Sequence, residues 1–290
     1  MTSKIEFGMG FIKSSRSLLV GCQNVLPIVV VTSGLLFGPS AVAAVVVLPN
    51  ALTSVNGGTQ LSTGTGAPLN HNAAGTYQMI IDASHLTSLG EGTQITGLSF
   101  RLRGAESTDA PSTGIFFTDY EIRLGKGALN HGSLSTTFAN NIQDATLVRD
   151  NSLTIGAGSF ESDGSPSPFG TDIGFTTPYN YVGGNDLVIE IRHTTGTGPV
   201  AALAIDANVS LAAYGNSIGD TFVAFGGNSF SSTSGAQQGF ATVRISYAPV
   251  PEPTESMAAA GLSLLAIAAW RRWLGHHPAP AGRVCSGLTA

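Results

Sequence analysis

Between Ala44 and Pro249 no stretch keeps a helical period of 3.6 for more than about two turns, whereas four segments alternate with period two. Leu98, Phe100 and Leu102 face one way in Gln94–Arg103, and Ser99, Arg101 and Arg103 face the other. Tyr120, Ile122 and Leu124 oppose Asp119, Glu121 and Arg123. Leu187, Ile189 and Ile191 oppose Glu190 and Arg192, and Ala241, Val243, Ile245 and Tyr247 oppose Thr242, Arg244 and Ser246. Side chains on a strand point alternately to its two faces, so this pattern predicts antiparallel strands with one buried and one wet face.

Further short strands are expected near Tyr77–Asp82, Ala145–Arg149, Ala201–Ile205 and Thr221–Phe225. A helical turn is expected at Asp82–Leu89, capped by Asp82 or Ser84. Loops rich in Gly, Ser and Pro are expected at Gly104–Thr113, Gly156–Thr171 and Asn228–Gln238. Two antiparallel sheets closed around the inward rows give the expected fold, an all-β sandwich of jelly-roll type. Glycine at 37 of 290 residues and charged residues at only 11% suit many short strands and tight turns, and 42% hydrophobic content is enough for a core.

The two ends read differently from this middle. Lys4, Lys13 and Arg16 precede an apolar run from Val25 to Phe37, and Ala41-Val42-Ala43 follows. A basic start, an apolar centre and a small-x-small end are the parts of a secretory signal peptide over residues 1–43, with cleavage after Ala43 or, next, after Ala44. Leu19-Val20-Gly21-Cys22 matches a lipobox, but its apolar run lies on the wrong side of the cysteine. Cys22 and Cys285 both fall outside the 44–249 domain, so that domain has no disulfide, no thiol chemistry and no Cys-ligated zinc.

Within Ala44–Pro249 there are 7 Lys and Arg against 15 Asp and Glu, a net charge of −8. Such a balance disfavours nucleic acid and anionic lipid as partners.

At the other end Val250-Pro251-Glu252-Pro253 precedes an apolar stretch, Met257 to Trp270, closed by Arg271-Arg272. The prolines bias Val250 and Glu252 to extended backbone, an accessible form for a protease. The apolar stretch is about fourteen residues, roughly 21 Å as a helix. That is short for a membrane span, though arginines that reach to the interface and the interfacial Trp270 and Trp273 help. The three parts in this order resemble the PEP-CTERM sorting signal of Gram-negative bacteria that make extracellular polysaccharide.

The resemblance implies export by the Sec translocon and signal peptidase, a transient inner-membrane anchor, and cutting near residues 250–253 by an exosortase-type transpeptidase. It further implies a destination at the cell surface or extracellular matrix, near exopolysaccharide. Residues 250–273 would form the signal and 274–290 a disordered tail. That tail, Leu274–Ala290, is longer than the family's usual ending.

The middle, from about Gly75 to Pro249, also resembles a sandwich domain common among such proteins. The likeness rests on Tyr77-Gln78, Ile95–Arg101, Tyr120–Leu124, Leu134–Asn141, Pro178–Tyr181 and Gly184–Arg192. It implies a fold and a setting without a catalytic activity.

Chemistry within the domain is sparsely signalled. Gly215-Asn216-Ser217-Ile218-Gly219 matches the nucleophile-elbow pattern, but a strand-like Thr221-Phe222-Val223 follows where that motif needs a helix. His71, His85, His131 and His193 show no metal-ligand spacing, and His193 is read as a surface residue. Asp144, Asp150 and Asp163 are expected in or near turns, where loop carboxylates can hold calcium. Asp206-Ala207-Asn208 lacks the glycine turn of a calcium loop.

No catalytic residue, metal ligand or cofactor is assigned. Tyr179 and Tyr181, expected in a loop, are the candidate platforms for a sugar, with Tyr214 a further loop tyrosine, since Trp270 and Trp273 lie in the tail. The leading expectation is a non-enzymatic structural or adhesive protein. A carbohydrate- or calcium-binding module is the alternative, and a secreted hydrolase the third reading.

Overall fold

The computed structural model describes residues 43–61, 66–208, 220–248, 265–269 and 271–272. Thirteen strands lie among them: β1 (Ala44–Leu48), β2 (Thr59–Leu61), β3 (Gly75–Ile81), β4 (Gln94–Phe100), β5 (Ile115–Gly127), β6 (Ile142–Ile155), β7 (Ile173–Asn180), β8 (Leu187–His193), β9 (Ile205–Asn208), β10 (Phe222–Gly227), β11 (Ala236–Gln238), β12 (Phe240–Ala241) and β13 (Val243–Ala248). They form a four-stranded sheet β1-β13-β4-β7, a six-stranded sheet β11-β10-β3-β8-β5-β6 and a small sheet β12-β9-β2. All pairings are antiparallel.

The order β1-β13-β4-β7 facing β3-β8-β5-β6 is that of an eight-stranded jelly roll. The added strands β10 and β11 extend the second sheet beyond β3.

The period-two rows explain the core between the sheets. Leu98, Phe100, Val243 and Ile245 come from one sheet, and Tyr77, Met79, Ile122, Leu124, Ile189 and Ile191 from the other, all in one buried cluster. Burying each such side chain contributes roughly 1.5–3 kcal/mol.

The expected wet faces are only partly wet. Ile80, Val188, Val223 and Phe225, on the opposite face of β3, β8 and β10, form a second buried cluster with Leu134 and Phe138. The last two belong to the segment that joins β5 to β6, which therefore covers this face. Asn141 anchors the cover: its side-chain amide donates to Gln78 Oε1 at 2.8 Å and to the Ser135 carbonyl at 2.7 Å. Gln78 in turn donates to Glu190 Oε2 at 3.0 Å. Glu190 is accordingly buried, contrary to its reading as a solvated residue.

Ser99 and Arg101 are buried as well. Arg101 Nη2 lies 2.7 Å from Asp206 Oδ2, an ion pair closed on both sides that ties β4 to the small sheet.

Other boundaries also move. Residues 173–180 form β7 where a loop was expected around Tyr179, because Ile95 and Leu98 of β4 pair with Tyr179 and Ile173. The strand expected at Ala201–Ile205 starts only at Ile205, and β11 occupies the end of the expected Asn228–Gln238 loop. The expected turn after Asp82 is present as a 3-10 turn, Ala83–His85, with Asp82 as its cap.

Candidate functional site

At one end of the six-stranded sheet Asp82, His131 and Asp186 converge. The strand register makes the two aspartates neighbours. Ile81 of β3 pairs with Leu187 of β8, so Asp82, one residue on, stands beside Asp186, one residue back. Residues opposite each other on antiparallel strands have Cβ atoms about 4.5–5.5 Å apart, and like charges there are destabilising. Something positive is needed between them.

The backbone fixes how each carboxylate points. Asp82 Oδ1 accepts from Ser84 N at 2.8 Å as the cap of the 3-10 turn. Asp186 Oδ1 accepts from Ala83 N at 2.9 Å. Each aspartate therefore has one oxygen engaged, and both Oδ2 atoms turn towards His131.

His131 arrives from the covering segment, in a 3-10 turn His131–Ser133 closed by Ser133 N donating to the Asn130 carbonyl at 2.8 Å. Its Nε2 is 3.1 Å from Asp186 Oδ2 and 3.8 Å from Asp82 Oδ2. The His131 side chain is only 10% exposed. Both ring nitrogens are shielded from water; neither meets a partner in strict hydrogen-bond geometry, although Asp186 Oδ2 and the Asp220 main chain stand close enough to favour the charged ring.

The proton affinities follow from these neighbours. Burial pulls the His131 pKa down, but Asp186 first, then the Asp220 main chain and Asp82, outweigh it and hold the pKa above the ordinary histidine value. Burial pushes the Asp82 pKa up; the Ser84 hydrogen bonds and the nearby His131 and His85 together hold it below the usual carboxylate range. Burial, the largest influence on His85, takes its pKa down.

Beside the cluster an open cleft of about 410 Å³ is lined by Gly127, Leu129, Asn130, Gly184, Asn185 and Asp186. Gly127, which ends β5, donates its N–H to the Asp186 carbonyl at 2.9 Å. A Cβ on Gly127 would come within 2.7 Å of Asp186 Cβ, so only glycine leaves the Asp186 side chain where it is.

One imidazole nitrogen and two carboxylate oxygens within 4.8 Å of one another are a donor set for a divalent cation. Among the described residues this is the group of His, Cys, Asp and Glu side chains with metal-ligand spacing.

The residues singled out from sequence are placed elsewhere or lie outside the described chain. Tyr179 sits within β7 and Tyr181 just after it, and both are buried, at 6% and 2% exposed. The Tyr181 hydroxyl donates to the Asn185 carbonyl at 2.7 Å. Neither ring offers a free face to a sugar, which corrects their reading as loop platforms. His193 is fully buried rather than on the surface, with Nδ1 and Nε2 facing the Thr194 and Ala67 carbonyls at 3.2 and 3.0 Å. His71 Nε2 meets the Pro199 carbonyl at 2.6 Å, and His85 Nε2 meets Thr221 Oγ1 at 3.1 Å.

Asp144 and Asp150 lie inside β6 rather than in turns, and Asp144 pairs with Lys126 Nζ at 2.6 Å. Asp163 is exposed in the following loop. Ala43 is exposed and Ala44 opens β1, while Ala41 lies outside the described residues. So do Ser217, Tyr214, Cys22, Cys285, Trp270, Trp273 and the whole of Val250-Pro251-Glu252-Pro253. Residues 265–269 and Arg271 and Arg272 are helical and exposed, and no helix among the described residues is long and apolar enough to cross a membrane.

No profile of a known protein family matches the chain, and no characterised protein matches it with significance.

The sequence carried half of the Asp82–His131–Asp186 signal. Both aspartates bound segments expected as strands, Asp186 by alternation and Asp82 as the end of the short strand Tyr77–Asp82, and pairing those strands antiparallel in this register sets them side by side. His131 had no such mark, because its position depends on how the covering segment folds back.

Proposed function

We propose that this chain is an exported, non-catalytic jelly-roll protein delivered to the cell surface or extracellular matrix by a C-terminal signal of the PEP-CTERM kind. There it serves as a structural or adhesive component close to exopolysaccharide. Its processing partners are a signal peptidase of the Sec route and an exosortase-type membrane transpeptidase.

The observation that carries this reading is the agreement between the limits of the sandwich and the segments defined by sequence. The first strand opens at Ala44, directly after Ala41-Val42-Ala43, and the last, Val243–Ala248, is described up to two residues before Val250. Because β1 pairs with β13 from Ala44↔Tyr247 to Leu48↔Val243, the first and last strands of the sandwich run side by side in one sheet. Cleavage after Ala43 keeps every pair of that ladder, and cleavage near Pro253 leaves β13 whole.

Intact mass of the extracellular form tests this directly. A species beginning at Ala44 and ending near Pro253 is expected, and Glu252→Ala should leave a cell-associated product that retains Cys285. A whole chain kept in the cytoplasm, or a Glu252→Ala product processed like the parent, would overturn the proposal.

A further inference from the structure

We propose that Asp82, His131 and Asp186 bind one first-row divalent transition-metal ion, with Zn²⁺ as the fitting probe, and that the ion pins the covering segment to the ends of β3 and β8. Four observations lead there.

The first is spacing. Tetrahedral donors about 2.0–2.1 Å from a zinc ion lie roughly 3.3–3.4 Å from one another. The His131 Nε2 distances of 3.1 and 3.8 Å to the two Oδ2 atoms bracket that value.

The second is the state of His131. A side chain nine-tenths buried, whose ring nitrogens meet Asp186 and the Asp220 main chain without good hydrogen-bond geometry, is poorly satisfied by the protein alone. Its Nε2 is aimed between two carboxylate oxygens, where a cation would engage all three.

The third is pre-orientation. The outer oxygens of Asp82 and Asp186 are each held by a main-chain amide, from Ser84 and Ala83. Supports of this kind orient metal ligands in known sites.

The fourth is charge. Two carboxylates forced together by strand register need a partner of charge +2 for neutrality, and a metal ion with a neutral imidazole supplies it. A nitrogen donor also favours zinc and its neighbours over calcium and magnesium, which prefer all-oxygen sites. Asp82 and Asp186 remain 32% and 19% exposed, so a fourth position is open to water or to an oxygen ligand.

The test is a Zn²⁺ titration by calorimetry of the full-length chain in mild detergent, compared with Asp82→Asn, His131→Gln and Asp186→Asn in the same chain. Cys22, Cys285, His276 and His277 are present in every variant, so any zinc they take cancels in the comparison. Wild type should take up one equivalent that His131→Gln and Asp186→Asn lose. Asp82→Asn should bind that equivalent at least tenfold more weakly.

Asp82→Asn decides the matter should the others fail to fold, because asparagine keeps the cap on Ser84 while giving up the anionic ligand. Equal stoichiometry and affinity in wild type and Asp82→Asn would overturn the proposal. So would uptake of Ca²⁺ at this site with none of Zn²⁺.

Discussion

Arg101 with Asp206, and His131 with Asp82 and Asp186, are two groups of charge drawn away from water, and they are finished differently. Asp206 is fully buried: Oδ2 meets Arg101 Nη2 at 2.7 Å and Nε at 2.9 Å, and Oδ1 accepts from Gly57 N at 2.9 Å. Arg101 also donates to the Val55 carbonyl at 2.5 Å and lies over the Phe169 ring, 5.3 Å from its centroid. A Cβ on Gly57 would meet the Ala207 carbonyl oxygen at 2.4 Å, so the loop closes on the pair with no spare room.

His131 has the opposite character. Its nitrogens are shielded but meet their acceptors in poor geometry, and its neighbour Asp186 lines an open cleft. A saturated buried charge holds a fold together. An unsaturated one at a sheet end is arranged for something that arrives later.

The largest expected effect lies on the closed side. Asp206→Ala removes one partner and leaves the Arg101 guanidinium buried without its counter-charge, a change that typically costs about 3–5 kcal/mol. Urea unfolding in the presence of a chelator should show that loss as a lower midpoint. A loss under about 1 kcal/mol would mean that Arg101 escapes to solvent and that the pair is not closed as described.

A second test asks whether closure extends to a titratable ring. His193 lies among Phe117 and Tyr120, with ring centroids 5.2 and 6.0 Å away, and faces two main-chain carbonyls. Burial is the largest influence and takes its pKa below the ordinary histidine value, despite the opposing pull of those carbonyls.

The unfolded chain therefore binds a proton at His193 more readily than the folded one. The stability linked to this group is complete above about pH 6.5 and declines as the pH falls towards the folded pKa, by at most about 1.4 kcal/mol per pH unit. His85 and His131 also act in this window, the latter with opposite sign, so the comparison is between variants: from pH 7.5 to 5.5 the unfolding free energy should fall further in the wild type than in His193→Gln. The slope should be shallower in His193→Gln. Identical slopes would mean that the ring is not held neutral by its surroundings.

These contrasts explain how far the sequence could be read. Alternation located the inward rows of β4, β5, β8 and β13 because one face of each strand packs in the main core. Alternation failed at Arg101 and Glu190, because a polar residue on the outer face looks the same whether water or another segment covers it. His193, by contrast, follows the inward row of Leu187, Ile189 and Ile191 and was misread by its residue type. Nothing local in the sequence states that 128–141 folds over β3, β8 and β10, or that Asp206 reaches back to Arg101 across 105 positions. Tyr179 was misread for a related reason. Pro178 and the flanking asparagine suggest a turn, but pairing with Ile95 of β4 overrides that local signal. Asp82 was legible as a cap because capping is local, whereas its role beside Asp186 needed the register of β3 with β8.

The smallest expected effect belongs to the open cluster and sharpens the contrast with Asp206. In chelator, Asp82→Asn should change stability by less than about 1 kcal/mol. Asparagine caps the Ser84 turn nearly as well as aspartate, and Asp82 is partly exposed. Losing its attraction to His131 is offset by relief of its repulsion from Asp186 across the strand pair. Adding Zn²⁺ should then raise the wild-type unfolding midpoint and leave that of Asp82→Asn nearly unmoved, since an ion that binds only the folded state stabilises it by mass action. If Asp82→Asn in chelator were as costly as Asp206→Ala, the cluster would be a second structural clamp, and the distinction between a closed charge and a waiting one would fail.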